Sequence, residues 1–362
     1  MILDRILIQK RCAETVAKNQ SVCRCSVMVR GRKALIMHTA CTACCDDDGL
    51  CPCYQIISSL HVQKNGTCHL ILLIADQLQS DVTKLKENGV CPKVATLRVG
   101  DRSGDVYYEN AIRKNSDKYG IECVNRVYTE ETSQEELEKG LAGLNGDPSI
   151  HGIIMLMPFP KFVDEARMKR LLAPEKDIDA ITDASYANLF DAKRPLDDYF
   201  CACTAEACME ILLKNDVELQ GKKVTIVGRS VRIGKPLMLM MLNANATVTV
   251  CHTRTKPEDL KTACEEADIV ILATGQIESY GPEFFREGQI IVDAGAGTGS
   301  DGKMAGDLNV KALTACDWSE NVAYTPVPGG VGTVTTTLLL RNVMKAANHF
   351  YKKENIKNLN TK

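Results

Sequence analysis

Residues 222–236 read KKVTIVGRSVRIGKP: a short apolar run rich in β-branched residues, a loop bounded by Gly228 and Gly234, and the opening of a helix. That order puts backbone N–H groups where a phosphate can meet them, because the first N–H groups of a helix have no intrahelical acceptor. The middle glycine of the usual dinucleotide fingerprint is missing, so the context has to decide. Three further apolar runs follow, ATVTVCHT (246–253), DIVILATG (268–275) and QIIVDAG (289–295), each ending near a glycine or a polar residue. Apolar on both faces, they predict the parallel strands of a doubly wound domain, whose ligand lies at the strands' carboxyl ends.

The end of the second strand bears on the nucleotide. NAD-binding folds place an Asp or Glu there, about 20 residues beyond the glycine loop, to hold the ribose 2′-hydroxyl. Here the stretch is CHTRT (251–255), with Thr253 and Arg254 and no carboxylate, and Arg229 adds a cation inside the loop. Basic groups without an acidic one favour NADP over NAD.

Upstream, the same alternation continues. A helix is expected over 74–89, closed by Gly89, then a strand over 93–100, a helix over 103–120 stopped by Gly120, and a strand over 122–129. SQEELEKGLAGLN (133–145) follows as a helix with Ser133 and Glu136 in a capping box. HGIIMLMPFP (151–160) reads as a strand broken by Pro158 and Pro160, and 166–173 and 203–217 as helices. This βαβα order predicts an α/β protein of two domains, with helices on both faces of parallel sheets. One long helix from Gly332 to about Tyr351 is expected to return to the first domain.

The first 70 residues are of a different kind. Nine of the seventeen cysteines fall by position 68, and residues 15–45 carry five basic side chains and no acidic one, with no sustained periodicity. CTACCDDDGLCPC (41–53) offers thiols to a metal, but lacks the second C-x-x-C that would make a zinc pattern. The segment is read as a leader outside the fold, with a transit peptide as the alternative. The strand-sized piece from Leu70 to Ala75 is then where the folded part begins.

A formal net charge of −2 and the absence of a basic stripe after residue 70 argue against nucleic acid as a partner. No apolar run is long enough to span a bilayer. The cysteines, in a long chain without a signal peptide, are expected as reduced thiols of the cytoplasm, or of mitochondria if the leader is a transit peptide. No metal is expected.

The motifs GRSVRIGKP, ATVTVCHTRT, QIIVDAG, AGDL and TPVPGGVGTVT (325–335) resemble the methylenetetrahydrofolate dehydrogenase/methenyltetrahydrofolate cyclohydrolase family. PKVATLRVGD, HGIIMLMPFP and PEKDIDAIT resemble its folate-binding half. The resemblance runs from about Ile74 to Tyr351. It implies a folate-binding domain over 71–203, a Rossmann-type NAD(P)-binding domain over 204–332, a returning helix over 333–352, and a tail over 353–362. A deep cleft would lie between the domains of what is usually a homodimer. The family oxidises 5,10-methylenetetrahydrofolate with NAD(P), then typically hydrolyses the methenyl product to 10-formyltetrahydrofolate.

Carried over by position, the resemblance makes Tyr108 and Asp179 the catalytic residues, with Asp179 accepting the pterin N–H groups. Ile112, Met155, Leu156, Met157, Pro326, Pro328, Gly329, Gly330 and Val331 would line the substrate. Gly228, Arg229, Ser230, Thr253 and Ala296 would hold NADP. Tyr108 rather than Tyr107 takes the role because it stands eight residues after Gly100 and twelve before Gly120, as in the family.

The family also places a lysine four residues after that tyrosine, on the same helical face. Here the position is Ile112, and Arg113 and Lys114 are turned away by roughly 100° and 200°. The glutamine that partners the lysine is Leu156 in this chain. Ala180 and Ala205 replace a glycine and a proline of the family pattern. The expectation is that the dehydrogenase step is kept and the cyclohydrolase step weak or lost. The alternatives are full bifunctionality, a folate- and NADP-binding protein without turnover, and an NADP-dependent dehydrogenase of another substrate.

Overall fold

The computed structural model describes Val22–Val29, Arg32–Thr39, and residues 67–191 and 198–360. By its internal contacts the chain separates into Met1–His61 and Val62–Lys362. In the first unit, β1 (Val22–Val29) and β2 (Arg32–Thr39) pair antiparallel, Val29 opposite Arg32. Regular structure thus stands where no periodicity was expected; valine recurs along β1, as suits a strand. The cysteine run 41–53 lies outside the described residues.

The second unit opens with α1 (Thr67–Glu87). The strand-like piece expected at Leu70–Ala75 belongs to this helix. A short apolar run does not distinguish a strand from a buried helix, and here the length settles it. β3 (Lys93–Val99), α2 (Ser103–Tyr119), β4 (Glu122–Tyr128), α3 (Gln134–Gly146) and β5 (Gly152–Met155) follow. They build a parallel three-stranded sheet of order β4-β3-β5. Gly120 ends α2 at φ 71°, its N–H bonded to Ser116 and Asp117 carbonyls, and Ser133 and Glu136 form the expected capping box. α4 (Glu165–Leu171) and α5 (Asp183–Asn188) complete this half.

α6 (Cys203–Lys214) crosses into the second sheet. There β6 (Lys223–Val227), α7 (Gly234–Asn243), β7 (Thr247–Cys251), α8 (Pro257–Glu266), β8 (Ile269–Leu272) and β9 (Ile290–Asp293) alternate as expected. After the small hairpin β10 (Gly297–Thr298) and β11 (Met304–Ala305) and the short α9 (Val310–Leu313) comes β12 (Ala323–Tyr324). The sheet order is β12-β9-β8-β6-β7, all parallel.

α10 (Val331–Asn360) joins the two cores. Its first turns place Val331, Val334 and Leu338 among Ile226 of β6, Leu237 of α7 and Ile271 of β8. Its middle places Leu339, Leu340 and Val343 in one cluster with Leu78 and Val82 of α1 and Ile112 of α2. No helix among the described residues is long and apolar enough to cross a membrane. The cysteines from Cys91 to Cys316 are free thiols.

Candidate active site

The rotation of α2 decides what its tyrosines do. Glu109, 5% exposed, accepts the Thr96 hydroxyl at 2.7 Å and Arg98 Nε at 3.0 Å, both from β3. Pinned there, the helix turns Tyr107 out to 71% exposure. It brings Tyr108 against a cluster that holds Ile112, Leu156, Ile178 and Cys203. Burial, with lesser repulsion from Asp179 and Cys203, raises the Tyr108 phenol far above its ordinary pKa, while the Arg232 charge opposes the rise. Tyr108 is therefore a neutral phenol at working pH, able to stack and to hydrogen-bond.

Ile112 is fully buried and Leu156 is 4% exposed, in the same cluster. Arg113 and Lys114 face solvent. Side chains on β5 and its extension alternate between faces. Ile154 and Leu156 join the Tyr108 cluster, whereas Ile153 and Met155 enter the other core with Leu137 and Leu141. The Met155 side chain, 1% exposed, belongs to that second core. Met157 lies beyond the strand and, with Pro158, Ile181, Tyr186, Val231 and Arg232, lines a cavity of about 210 Å³.

Asp179 sits in a loop that its neighbours build. Asp177, fully buried, takes the Ile181 N–H at 3.0 Å, the Thr182 N–H at 2.8 Å, and the Thr182 and Ser185 hydroxyls at 2.7 Å each. From behind, Asn342 of α10 donates to the Ile178 carbonyl at 2.9 Å and to Cys203 Sγ at 3.4 Å. The Cys203 thiol donates to the same carbonyl at 3.6 Å, so Cys203 acts on the loop's backbone. Ala180, in place of the resemblance's glycine, keeps a left-handed φ of 53°.

With its surroundings so tied, the Asp179 carboxylate receives no hydrogen bond among the described residues. Arg232 Nη2 stands 3.6 Å from its Oδ2. Burial pushes Asp179 up to about 6, Arg232 pulling it down and Asp177 adding to the rise. It is thus a carboxylate with open acceptor positions.

On the second sheet, Gly228 has φ 135°, and a Cβ there would run into the Ala273 carbonyl. A Cβ on Gly234 would strike the Gly228 carbonyl, so the loop between β6 and α7 folds back on itself as only glycines allow. The Ser230 hydroxyl accepts the Ile233 N–H at 3.1 Å. Arg229 and Ser230, then Thr253 just past β7 and Ala296 just past β9, are all exposed at the carboxyl ends of the strands. The glycine cradle and its cations fit a nucleotide's phosphates.

Two buried carboxylates, Asp293 of QIIVDAG and Asp307 of AGDL, tie these ends together. Asp293, at the end of β9, accepts the N–H groups of Gly295, Asp307 and Leu308 at 2.9, 3.1 and 2.9 Å. Its own N–H donates to Thr325 Oγ1 at 2.8 Å. Asp307 Oδ2 takes the Thr274 N–H and hydroxyl at 2.7 and 2.8 Å. The segment from Pro326 to Val331 follows directly. Pro328 and Gly329 are exposed, a Cβ on Gly330 would meet the Pro326 carbonyl, and Val331 is 2% exposed in the core. Val331 thus anchors the loop, while Pro328 and Gly329 present it.

Arg232 was missed from sequence although it lies within the loop first quoted, because nothing in spacing says which way a loop side chain turns. Asn342 was missed for the same reason, a buried polar residue on an otherwise apolar helix face. Among the described residues no group of three or more His, Cys, Asp or Glu is placed to hold a metal ion.

Comparison with known proteins agrees with this architecture. Residues 70–179 match the catalytic domain of tetrahydrofolate dehydrogenase/cyclohydrolase, and residues 202–351 match its NAD(P)-binding domain. The bifunctional protein FolD of Alkaliphilus oremlandii is 39% identical over 273 residues, 75% of this chain and 93% of that protein. The crystal structure of FolD from Campylobacter jejuni is 32% identical, covers 78% of this chain and 96% of its own, and superposes with a TM-score of 0.73. The FolD of Trypanosoma brucei, solved with NADP cofactor and an inhibitor, is 28% identical, covers 81% of this chain and 98% of its own, and has a TM-score of 0.73. With both domains matched in order and the fold shared along their length, the chain belongs to the tetrahydrofolate dehydrogenase/cyclohydrolase family.

Proposed function

We propose that this protein oxidises 5,10-methylenetetrahydrofolate to 5,10-methenyltetrahydrofolate with NADP+ and has weak or no methenyltetrahydrofolate cyclohydrolase activity. The observation that carries the second half is Ile112, fully buried one turn beyond Tyr108 and packed in one apolar cluster with Leu156. Both partners of the polar pair are replaced together, so neither member of that pair is left buried without the other.

NADP+, bound along the loop of Gly228, Arg229 and Ser230 and at Thr253 and Ala296, would accept the hydride. The chain's own residues supply orientation. Asp179 takes the pterin's N–H groups, Tyr108 offers an aromatic face, and the segment Pro326–Gly330 borders both ligands. Holding two reactants in line is most of what this step requires. Hydrolysis additionally needs a group that handles a proton at the attacked carbon. Tyr108 is held neutral by burial, and the guanidinium of Arg232 gives up no proton at working pH.

Full bifunctionality is the second reading, supported by the names of the relatives and by the cation that Arg232 brings towards Tyr108. The family resemblance also supports a cytoplasmic homodimer, with the folate half in 71–203 and the nucleotide half in 204–332. The test uses purified full-length protein. NADPH formation from methylenetetrahydrofolate is expected, with no acceleration of methenyltetrahydrofolate decay over buffer. Decay accelerated to the pace of the dehydrogenase step would establish bifunctionality, and absence of NADPH formation would overturn the enzyme reading.

A further inference from the structure

Arg232 belongs to the nucleotide loop between β6 and α7, yet its guanidinium turns to the folate half. It stands 3.6 Å from Asp179, whose side chain is only 20% exposed while that of Arg232 is 47% exposed. We infer that Arg232 is a positioning residue for the folate site: lent by the nucleotide loop, it keeps Asp179 ionised and so able to accept two N–H groups from the pterin edge. This rests on the reading of Asp179 as the pterin acceptor.

The chemistry is simple. An ionised carboxylate accepts through both oxygens, whereas a protonated one spends an oxygen as a donor and faces the pterin's donors with a hydrogen. A carboxylate sunk in a poorly hydrated site tends to keep its proton unless a cation opposes this. Asp179 accepts no hydrogen bond among the described residues, so that opposition falls to the Arg232 guanidinium 3.6 Å away.

The other titratable groups around Asp179 do not provide it; Lys169 of α4, which lines the same cavity as Arg232, is paired with Glu165 at 2.8 Å. Asp177, on the same loop, works in the opposite sense. Tyr108 from α2, Tyr186 from α5 and Cys203 from α6 all have raised pKa values, each chiefly through burial, and stay neutral. Glu206 of α6 and Arg341 of α10 act on Cys203, but they are paired with each other at 2.6 Å. The folate pocket is therefore electrostatically complete only when the nucleotide loop is in place against it.

The test is calorimetric binding of 5-formyltetrahydrofolate to the full-length protein across pH. Wild type, Arg232→Met, Arg232→Lys and Asp179→Asn are compared, with NADP+ titrated separately into each. The wild type should bind more weakly as pH falls through about 6. In Arg232→Met that limb should move upward by about one unit, giving about twofold weaker binding at about pH 7, a loss approaching about tenfold towards about pH 5, and convergence with wild type at alkaline pH. Arg232→Lys should restore most of the loss, and Asp179→Asn should bind poorly at every pH with no limb. A loss in Arg232→Met that is the same at all pH values, or no loss at all, would overturn the inference. A wild-type protein that binds NADP+ but no folate would instead overturn the functional reading beneath it.

Discussion

Replacing Ile112 with lysine restores the side chain that the family resemblance expects and asks whether the site still has room for it. Ile112 has no exposed surface and packs in the cluster of Leu78, Val82, Leu339, Leu340 and Val343. Removing a buried isoleucine forfeits about 2–3 kcal/mol of burial. The ammonium adds a desolvation penalty, which it reduces by releasing its proton, so the total is about 4 kcal/mol. Adding Leu156→Gln supplies an oxygen for the amine and should return about 1–2 kcal/mol, making the pair non-additive. Urea unfolding followed by circular dichroism, on wild type, both single variants and the double, measures these terms. Hydrolysis of methenyltetrahydrofolate is followed in parallel and should appear only in the double variant. An Ile112→Lys protein within about 0.5 kcal/mol of wild type would refute the reasoning, since it would mean that position 112 opens on water.

Three other outcomes follow from the geometry. Burial holds the pKa of Asp179 above its unfolded value, so the folded state retains the extra proton; the stability this gives is present at acid pH and lost as pH rises through about 6. Asp179→Asn should therefore melt higher than wild type at neutral pH, by an amount on the order of 1–2 kcal/mol that vanishes at acid pH, while folate binding is lost. Ala180 holds φ 53°; the left-handed region costs a non-glycine residue about 1–2 kcal/mol, against about 0.5–1 kcal/mol for glycine's greater freedom when unfolded. Ala180→Gly should accordingly raise the urea midpoint by the equivalent of about 0.5–1 kcal/mol. Gly228→Ala should weaken NADP+ binding by about tenfold or more, since its Cβ meets the Ala273 carbonyl and the loop must open, with 5-formyltetrahydrofolate binding largely retained.

What could be read in advance was whatever depends on local pattern. KKVTIVGRSVRIGKP specified a strand, a loop and a helix, and the structure has them as β6, the Gly228–Gly234 turn and α7. The Ser133–Glu136 box and the Gly120 stop depend on a few adjacent residues and are found as expected. The same pattern reading failed at residues 70–75, where a short apolar run fits either element and belongs to the 21-residue helix α1. Strand phase alone separates Leu156, in the Tyr108 cluster, from Met155, in the other core.

Legibility ended at contacts between distant segments. Nothing in PEKDIDAIT announces that Asp177 would fasten the loop while Asp179 stays open, or that Asn342 would hold it from a helix far along the chain. Arg232 was visible only as another basic residue in a loop. Its meaning depends on the loop of one sheet facing the loop of the other, a property of the tertiary arrangement alone.

The central claim is that an apolar Ile112–Leu156 pair has separated hydride transfer from hydrolysis. It is tested most directly by identifying the product that accumulates when the full-length protein oxidises methylenetetrahydrofolate with excess NADP+. The account predicts methenyltetrahydrofolate rising in step with NADPH and then decaying no faster than in buffer alone. Accumulation of 10-formyltetrahydrofolate in step with NADPH, without a methenyl phase, would contradict it.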